Sequence, residues 1–406
     1  MRVRPFRAWL AKPELAARIA AVPYDVVDTE EARALAAGNP YSFLHVSRAE
    51  IDLPAGTDPY SDRVYAHGRD TLRRYQTEGL LAQEPRPQLY VYQQKMGSHL
   101  QRGVVACLAA SDYESHVIKT HEKTRQDKED DRARHIRILN AQSGPVFLTY
   151  RDVPTVAALV EAAQRQKPMF DFTAPDGIGH AGWRFPDPQA AATAFGRVPV
   201  AYIADGHHRA AAAVRVARER RVDNPRQTGD EEYNWFLGVL FPASEVQILP
   251  YNRCVRDLNG LSVNRFLEKV GARFAVRDAS DPRPAAPGRI GMYVAGRWHE
   301  LSWTPVAAAS PMDSLDVSVL QDRLLTSLLG IDDPRTNTRI EFIGGVRGIG
   351  ELERRVNNGQ AAVAFSLHPT TVDQLMAIAD TGGIMPPKST WFEPKLRSGL
   401  FVHTLD

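Results

Sequence analysis

The stretch ADGHHRAAA, residues 204–212, follows the apolar run VPVAYI and leads into AVRVARERR. This pattern predicts a β-strand that ends at Asp205, a turn at Gly206 and a helix that begins at His207. Glycine permits a sharp turn and lets a ligand approach the backbone. The N-terminus of the helix offers free N–H groups and a positive dipole end, which suits a phosphate. The junction is therefore predicted to bind a phosphate group.

The side chains of the same junction fit that chemistry. Arg209, in the first turn, can clamp a phosphate with two hydrogen bonds, and His207 and His208 can add donors or shuttle protons. Asp205 can hold Mg²⁺ or accept a proton from a substrate hydroxyl. A simpler interpretation makes Asp205 an N-cap and the other three a solvated first turn. The N-cap explains only Asp205, so we prefer the functional interpretation.

A second polar cluster is KTHEKT, residues 119–124, followed by KEDDR at 128–132. Lysines with threonines suit phosphates, and Glu122 can be a general base or a metal ligand. A charged run is more often the solvated face of a helix, and for KEDDR the two interpretations are equal. For KTHEKT we favour function, because a histidine and two threonines are not typical of a solubilising surface. The candidates here are Lys119, Thr120, His121, Glu122, Lys123 and Thr124.

Three weaker candidates lie elsewhere in the chain. The tail motif PPKST resembles the end of a P-loop but lacks the preceding glycine pattern, so it is not a Walker A motif. The motifs PYD and NPYSFLH, near the N-terminus, are either pocket residues or turn formers beside a strand. The residues concerned are Lys388, Ser389, Thr390, Tyr24, Asp25 and His45.

Composition excludes several classes of protein. The 406 residues carry a formal net charge of +2, which gives no reason to expect a nucleic acid or an anionic membrane as partner. With only 2 cysteines, a disulfide framework and a zinc cage are both unexpected. The sequence contains no apolar run long enough to span a membrane, no signal peptide and no G-x-S-x-G or H-E-x-x-H motif. We expect a cytoplasmic protein.

The order of predicted elements indicates a mixed α+β fold rather than a regular doubly wound sheet. Residues 87–113 predict a hairpin with its turn at Gly97, and FLHVSRAEIDLP, residues 43–54, predicts a strand. We predict a core domain over residues 1–255 and a C-terminal α+β region over 256–406 that ends in the PPKST tail.

The motifs ADGHHRAAA, KTHEKT with KEDDR, NPYSFLHV and MPPKSTWFEPKL occur in one order along nearly the whole chain. On these motifs the chain resembles a bacterial and archaeal family of unknown function, DUF1015. The DGHHR core is also similar to that of SerK-type free-serine kinases, which are relatives of the ParB/sulfiredoxin fold. This narrower resemblance implies a ParB/sulfiredoxin-like core with a mixed sheet.

The resemblance to the kinases implies phosphoryl transfer from a nucleotide to free L-serine, giving O-phosphoserine. It implies that Gly206, His207, His208 and Arg209 bind the donor phosphates, and that Asp205 lies at the serine hydroxyl or at Mg²⁺. SerK-type enzymes use a glutamate as base, and Glu122 is our candidate for it. We assign four further residues to nucleotide binding: Thr120, His121, Lys123 and Thr124. The phosphate donor is ATP, ADP or CTP.

Two other functions stay open at this point. One is a ParB-like nucleotide-binding switch or nucleic-acid-associated module, although no helix-turn-helix is recognisable. The other is a metal-dependent hydrolase that uses His121, Glu122, Asp205, His207 and His208. Whether the chain forms a homodimer is also open.

Overall fold

The computed structural model describes residues 1–304 and 310–406, which form two compact units. The first unit contains Met1–Val246 and Pro394–Asp406, and the second contains Gln247–Glu393. The sequence analysis placed Pro394–Asp406 in the C-terminal region, but these residues belong to the first unit. They do so because the strand Phe401–Thr404 pairs with strands of that unit at both of its edges.

The strands of the first unit lie in two sheets. They are β1 (Val3–Arg4), β2 (Trp9–Ala11), β3 (Leu81–Gln83), β4 (Tyr90–Met96), β5 (His99–Ala109), β6 (Ile118–Lys119), β7 (Ala141–Gln142), β8 (Val146–Tyr150), β9 (Phe170–Thr173), β10 (Gly179–Arg184), β11 (Ala201–Asp205) and β12 (Trp235–Pro242), with β21 (Phe401–Thr404) from the tail. The larger sheet is nine-stranded, in the order β6-β11-β8-β12-β5-β4-β10-β9, and β1 pairs with β5. The smaller sheet has the order β3-β2-β21-β7.

The helices of the first unit pack around these sheets. They are α1 (Ala16–Ile19), α2 (Thr29–Ala36), α3 (Leu44–Ser47), α4 (Asp62–Thr77), α5 (Ala110–Glu114), α6 (Gln126–Leu139), α7 (Pro154–Gln164), α8 (Pro188–Phe195) and α9 (His207–Asp223). The α9 sequence is rich in alanine, and its buried alanines let α6 pack closely against it.

The large sheet confirms the mixed α+β prediction. The pairs β6–β11 and β8–β12 are parallel, and the other neighbours in the sheet are antiparallel. The predicted hairpin is confirmed as β4 and β5 around Gly97. The apolar run of β5 is fully buried, from Val104 to Leu108, because the strand lies in the middle of the sheet.

The predicted strand at residues 43–54 is wrong. Residues Leu44–Ser47 form helix α3, and Ala49–Asp52 form a 3₁₀ turn. The hydroxyl of Ser42 accepts a hydrogen bond from the Leu44 N–H at 3.3 Å, and the Ser47 hydroxyl donates to the Phe43 carbonyl at 3.2 Å. These local bonds stabilise a helical turn, and its apolar residues are buried on more than one side.

The second unit is built around a six-stranded antiparallel sheet. Its order is β15-β17-β16-β19-β14-β18, and β13 and β20 form a separate pair. The strands are β13 (Gln247–Leu249), β14 (Tyr251–Val255), β15 (Ala275–Asp278), β16 (Arg289–Val294), β17 (Arg297–Ser302), β18 (Ile340–Gly344), β19 (Val363–Leu367) and β20 (Trp391–Glu393). The helices are α10 (Val263–Gly271), α11 (Asp316–Leu320), α12 (Ile349–Asn357) and α13 (Val372–Asp380).

A helix that spans a membrane must be both long and apolar. Within residues 1–304 and 310–406, none combines the length and the apolar character that a membrane span requires.

The packing of the large sheet predicts that Gly103→Ala destabilises the protein. A Cβ atom at Gly103 would lie 2.5 Å from Val239 Cγ1 and 2.7 Å from Phe241 Cε1, and neither side chain can yield easily. We expect the free energy of unfolding in urea to fall by about 1–3 kcal/mol. The control is Gly179→Ala in the same sheet, where the nearest atom, Lys95 Cβ, is 3.5 Å away. Equal stability of the two variants would contradict the packing described here.

Candidate functional site

The predicted strand–turn–helix junction is confirmed. Strand β11 ends at Asp205, Gly206 is the N-cap residue with φ +95°, and α9 begins at His207. The N-cap has no side chain that bonds the first N–H groups of the helix. A Cβ atom at Gly206 would lie 2.9 Å from Arg209 Cζ, so both the backbone angle and the space require glycine. The arginine therefore folds back over the start of its own helix.

Arg209 is buried and is held by two carboxylates and a backbone carbonyl. Its Nη2 donates to Asp205 Oδ2 at 3.0 Å and lies 3.9 Å from Asp25 Oδ2, and Nη1 donates to the Pro145 carbonyl. Its Nε is buried and has no hydrogen-bond partner among the described residues. The side chain is held in place by several contacts and keeps one donor for a ligand.

Asp205 lies between two cations. Its Oδ2 is 3.0 Å from Arg209 Nη2 and 3.7 Å from Lys395 Nζ. Burial alone would raise the pKa of Asp205, but the charges of Lys395 and Arg209 outweigh it and the pKa lies at about 2. A carboxylate with such a low pKa is a weak proton acceptor near neutral pH.

His121 and His207 form a buried pair. Their ring centroids are 4.5 Å apart and the rings are nearly perpendicular. Both ring nitrogens of His121, and Nε2 of His207, lack a partner at good hydrogen-bond geometry among the described residues, although the Ile203 backbone lies near enough to His121 to act on its pKa. Burial lowers the pKa of His121 to about 4, and burial together with His121 lowers that of His207 well below its ordinary value. Both rings are therefore neutral near pH 7.

Glu122 and His208 flank this pair. Glu122 Oε2 is 3.8 Å from His207 Nδ1, and about half of the Glu122 side chain is exposed. His208 Nε2 accepts a hydrogen bond from the Arg125 N–H at 3.0 Å, and burial lowers the pKa of His208. A half-exposed carboxylate thus lies beside the neutral histidines at the start of α9.

A cavity of about 480 Å³ adjoins Arg209. The Arg132 guanidinium stacks over the Tyr24 ring at 3.8 Å, and both residues line the cavity. Burial raises the pKa of the Tyr24 hydroxyl, so it stays a neutral hydrogen-bonding group. The lining residues are Tyr24, Ser47, Arg132, His135, Ile136, Gln142, Ser143, Gly144, Val146, Arg209, Ala213, Phe236, Leu237 and Ser398.

The rest of the KTHEKT cluster lies between β6 and α6. Lys119 is opposite Tyr202 in the parallel pairing of β6 with β11, which brings the cluster beside the junction. Thr120 is half-buried and Lys123 is exposed. The Thr124 hydroxyl donates to Glu129 Oε2 at 3.2 Å, a bond within the loop and the start of α6.

Not every predicted residue joins this site. The His45 ring bonds Asp52 Oδ1 at 2.8 Å and the Asn39 carbonyl at 3.0 Å, and the bond to Asp52 raises its pKa. Both of its nitrogens are thus used in a local network. Lys388, Ser389 and Thr390 belong to the second unit, where the Lys388 ammonium lies 5.7 Å from the centre of the Tyr251 ring and the Ser389 hydroxyl donates to Pro386.

Several residues of the site are absent from the candidates that the sequence predicted, among them Lys395, Ser143, Gly144 and Ser398. Arg132 belongs to the KEDDR run, where function and solvation were equal interpretations. The dipeptide Ser143-Gly144 is separated from strand β8 only by Pro145, and this position before a strand is the one local signal that could have pointed to it.

The acidic and histidine side chains of the site do not form a preformed metal centre of three or more protein ligands. In the part of the chain that the structure describes, no three histidine, cysteine, aspartate or glutamate side chains converge closely enough to hold a metal ion. Mg²⁺ needs fewer protein ligands, because it commonly takes one or two carboxylates together with substrate phosphates. The carboxylates of Asp205 and Glu122 fit Mg²⁺ only in that second way.

The neutral state of His121 predicts a pH dependence of stability. The unfolded chain takes up a proton at this position below its ordinary pKa of 6.5, whereas the folded chain does so only near pH 4. Stability therefore falls as the pH falls through 6.5. Between pH 7.5 and 5.5, we expect the free energy of unfolding to drop by about 1 kcal/mol more in the wild-type chain than in His121→Phe. Denaturant unfolding at both pH values measures it, and equal drops would contradict the assignment.

The chain was compared with curated sequences, solved structures and family models. The sequence matches no curated protein. A free serine kinase in complex with AMP is 12% identical, and the alignment covers 71% of this chain and 86% of that one at a TM-score of 0.36. A conserved hypothetical protein from Pyrococcus furiosus is 13% identical, with 74% and 95% covered and a TM-score of 0.36. SbnI with a C-terminal truncation, from Staphylococcus aureus, is 11% identical, with 74% and 87% covered and a TM-score of 0.38.

Structural similarity at TM-scores below 0.5 does not establish an activity or a ligand. The sequence itself is more specific. A family model described as "Protein of unknown function (DUF1015)" matches residues 3–318, which is most of the chain. The protein therefore belongs to the DUF1015 family.

Proposed function

We propose that the protein is a nucleotide-dependent kinase that phosphorylates the hydroxyl of free L-serine. The observation that carries the proposal is the buried guanidinium of Arg209, packed over the N-cap glycine of α9. The backbone N–H groups at the helix start and the unpartnered Nε of Arg209 are donors of the kind that bind phosphate.

The charge around the junction supports a phosphate ligand. Arg209 Nη2 and Lys395 Nζ both lie within 4 Å of Asp205 Oδ2, so two cations meet at the start of α9. Burial lowers the pKa of Arg209, but the charges of Asp25, 3.9 Å away, and of Asp205 outweigh it and raise the pKa, so the guanidinium stays charged. A charged guanidinium beside an ammonium group is a common ligand pair for phosphate in proteins.

The adjoining cavity supports a nucleoside in the same site. The empty space in and in front of this cavity is about 480 Å³, which includes open solvent. The Arg132–Tyr24 stack offers a planar aromatic and cationic surface, and Ser143 and Ser398 offer hydroxyl groups for ribose or phosphate oxygens. The donor nucleotide in this proposal is ATP, ADP or CTP.

We assign the proton transfer to Glu122 rather than to Asp205. The pKa of Asp205 is about 2, so this carboxylate does not take a proton readily from a serine hydroxyl. Glu122 is half-exposed, and its Oε2 lies 3.8 Å from Nδ1 of the neutral His207. Asp205 instead orients the guanidinium of Arg209 through the bond at 3.0 Å.

The proposal includes Mg²⁺. Asp205 or Glu122 would hold the ion together with the nucleotide phosphates, because the described residues form no larger cluster of ligands. The ion, when bound, offsets charge on the transferred phosphoryl group. Arg209, Lys395 and the start of α9 do the same from the protein side and fix the position of that group.

The acceptor rests on the motif resemblance to SerK-type kinases. One of the similar solved structures is itself described as a free serine kinase. The resemblance also carries the proposal that the core has the ParB/sulfiredoxin-like fold. Lys119, Thr120, Lys123 and Thr124 remain candidates for phosphate or serine contacts, since β6 brings them to the junction.

The two other functions fit the geometry less well. A catalytic transition-metal site uses about three protein ligands, and the described residues form no such group. A ParB-like switch would bind nucleotide at the same junction without phosphorylating serine. Nucleotide binding without O-phosphoserine, together with DNA binding that weakens steeply with salt, would favour the switch.

Replacement of Arg209 tests the proposal. We expect Arg209→Ala to lower the rate of O-phosphoserine formation by about 100-fold or more, because one preorganised charged donor to the phosphoryl group is lost. The rate is measured by mass spectrometry with Mg²⁺, L-serine and each of ATP, ADP and CTP. Arg215→Ala is the control, since Arg215 lies on the same helix and pairs with Asp130 and Glu219. Absence of product from the folded wild-type chain with every donor would overturn the proposal.

Replacement of Glu122 tests the assignment of the base. We expect Glu122→Gln to lower kcat by about 100-fold, because the amide cannot accept the hydroxyl proton, and to leave nucleotide affinity within about twofold. Calorimetric titration with nucleotide and initial rates measure the two effects. Glu219→Gln is the control, because Glu219 is a half-buried carboxylate of α9 that pairs with Arg137 and Arg215. Retention of kcat in Glu122→Gln would exclude Glu122 as the base.

A further inference from the structure

Four polar side chains are buried together on one face of the large sheet in the first unit. They are at most 1% exposed and belong to the neighbouring strands β4, β5 and β10: Tyr92, Gln94, Gln101 and His180. Gln94 is opposite Gln101 in the pairing of β4 with β5 and opposite His180 in the pairing of β10 with β4, so their side chains share a face. Buried polar groups cost free energy unless they are hydrogen-bonded, so the partners of this cluster show what it does.

The two glutamines hold the backbone of the tail at Pro394 and Lys395. Gln94 Nε2 donates to the Lys395 carbonyl at 2.8 Å, and Gln101 Nε2 donates to the Pro394 carbonyl at 3.4 Å. Gln101 Nε2 also donates to Gln94 Oε1 at 2.9 Å, and Gln101 Oε1 lies 3.4 Å from His99 Nε2. Both ends of each amide group are therefore hydrogen-bonded, and a fully satisfied buried network is rigid.

A second contact anchors the same segment two residues later. The Arg397 side chain is only 4% exposed, and its Nε donates to His180 Nε2 at 3.2 Å. The other nitrogen of that ring, Nδ1, forms a hydrogen bond with the Tyr92 hydroxyl at 2.8 Å, and Arg397 Nη2 donates to Asp176. The tail is thus anchored to the sheet on both sides of the Lys395 side chain.

The anchored segment brings the Lys395 ammonium to the start of α9. Its Nζ lies 3.7 Å from Asp205 Oδ2, and the side chain is 16% exposed. A lysine has a flexible four-carbon stem and loses much conformational freedom when its ammonium is held in one place. A fixed backbone narrows the range of positions that the ammonium can reach, and the glutamine pair supplies that fixed point.

We propose that Gln94 and Gln101 are positioning residues of the phosphate site, because they fix the backbone from which Lys395 reaches Asp205. This inference rests on the function proposed above, in which Lys395 offsets charge on the transferred phosphoryl group. Both glutamines act through Lys395 and not on the ligand. A charge that is already in place when the phosphoryl group arrives stabilises the transition state without a cost of reorganisation.

A double-mutant cycle tests whether Gln94 acts through Lys395. We expect Gln94→Met to lower kcat for O-phosphoserine formation by about 10-fold and to leave the KM for serine within about twofold, because the ammonium loses its fixed position in the transition state. In a chain that already carries Lys395→Met, adding Gln94→Met should change kcat by less than about twofold. Losses that multiply in the double variant would overturn the proposal.

The matched control is Gln93→Met. Gln93 precedes Gln94 on β4, so its side chain lies on the opposite face of the sheet, where its Oε1 accepts from Gln164 Nε2 at 2.8 Å. This variant also loses a hydrogen bond between two glutamines, but that bond does not involve the tail. We expect the wild-type kcat. A loss equal to that of Gln94→Met would mean general damage to the sheet and would contradict a specific role of Gln94.

Acetylation of lysines in the chain without ligand tests the positioning separately from the activity. Peptide mass spectrometry measures the acetylation rate of Lys395 relative to that of the exposed Lys167. We expect this ratio to rise in Gln94→Met, because the released ammonium moves into solvent, and to stay at the wild-type value in Gln93→Met. An unchanged ratio in Gln94→Met overturns the proposal. A raised ratio in a chain whose wild type forms no O-phosphoserine would overturn the proposed function and support the positioning of Lys395.

Gln101→Met replaces Gln94→Met in both experiments if the latter does not fold. It removes the donor to the Pro394 carbonyl and the bond to Gln94, and it leaves the bond from Gln94 to the Lys395 carbonyl. We therefore expect a smaller loss of kcat and a smaller rise of the acetylation ratio. A folded Gln101→Met that changes neither quantity would contradict the proposal.

Discussion

The buried charge of Arg209 is the interaction on which the candidate site depends. A guanidinium removed from water costs several kcal/mol unless nearby groups compensate it. Here the carboxylates of Asp25 and Asp205 and the Pro145 carbonyl compensate the charge, and Lys395 adds a second cation beside Asp205. The junction is therefore held by several contacts and has two cations beside the start of α9. Both properties suit a phosphate ligand.

The large sheet explains how distant parts of the chain meet at this charge. Strand β6 runs parallel to β11, so residues 119–124 emerge beside Asp205 and place His121 against His207. The tail returns to the first unit through β21, which keeps Lys395 within reach of Asp205. Three segments far apart in sequence thus meet at the start of α9.

Local patterns predicted the strand, the glycine turn and the helix at residues 201–223 correctly, because each depends on neighbouring residues. The role of Asp205 could not be predicted in the same way, since its low pKa depends on Lys395, about 190 residues away. The stack of Arg132 on Tyr24 is equally nonlocal. The alternating apolar residues at 43–54 predicted a strand, but the segment begins with a helical turn. Hydroxyl–backbone hydrogen bonds of Ser42 and Ser47 stabilise that turn, and the pattern of apolar residues does not reveal them.

The central claim is that the start of α9 binds nucleotide phosphate. A crystal structure of the full chain with ADP and Mg²⁺ tests it most directly. The account predicts phosphate oxygens within hydrogen-bond distance of Arg209 Nε and of the His207 and His208 backbone N–H groups, with the base or ribose beside Tyr24 and Arg132. The claim would be contradicted if, at saturating ADP, the phosphates bound elsewhere and made no hydrogen bond to Arg209 Nε or to these backbone N–H groups.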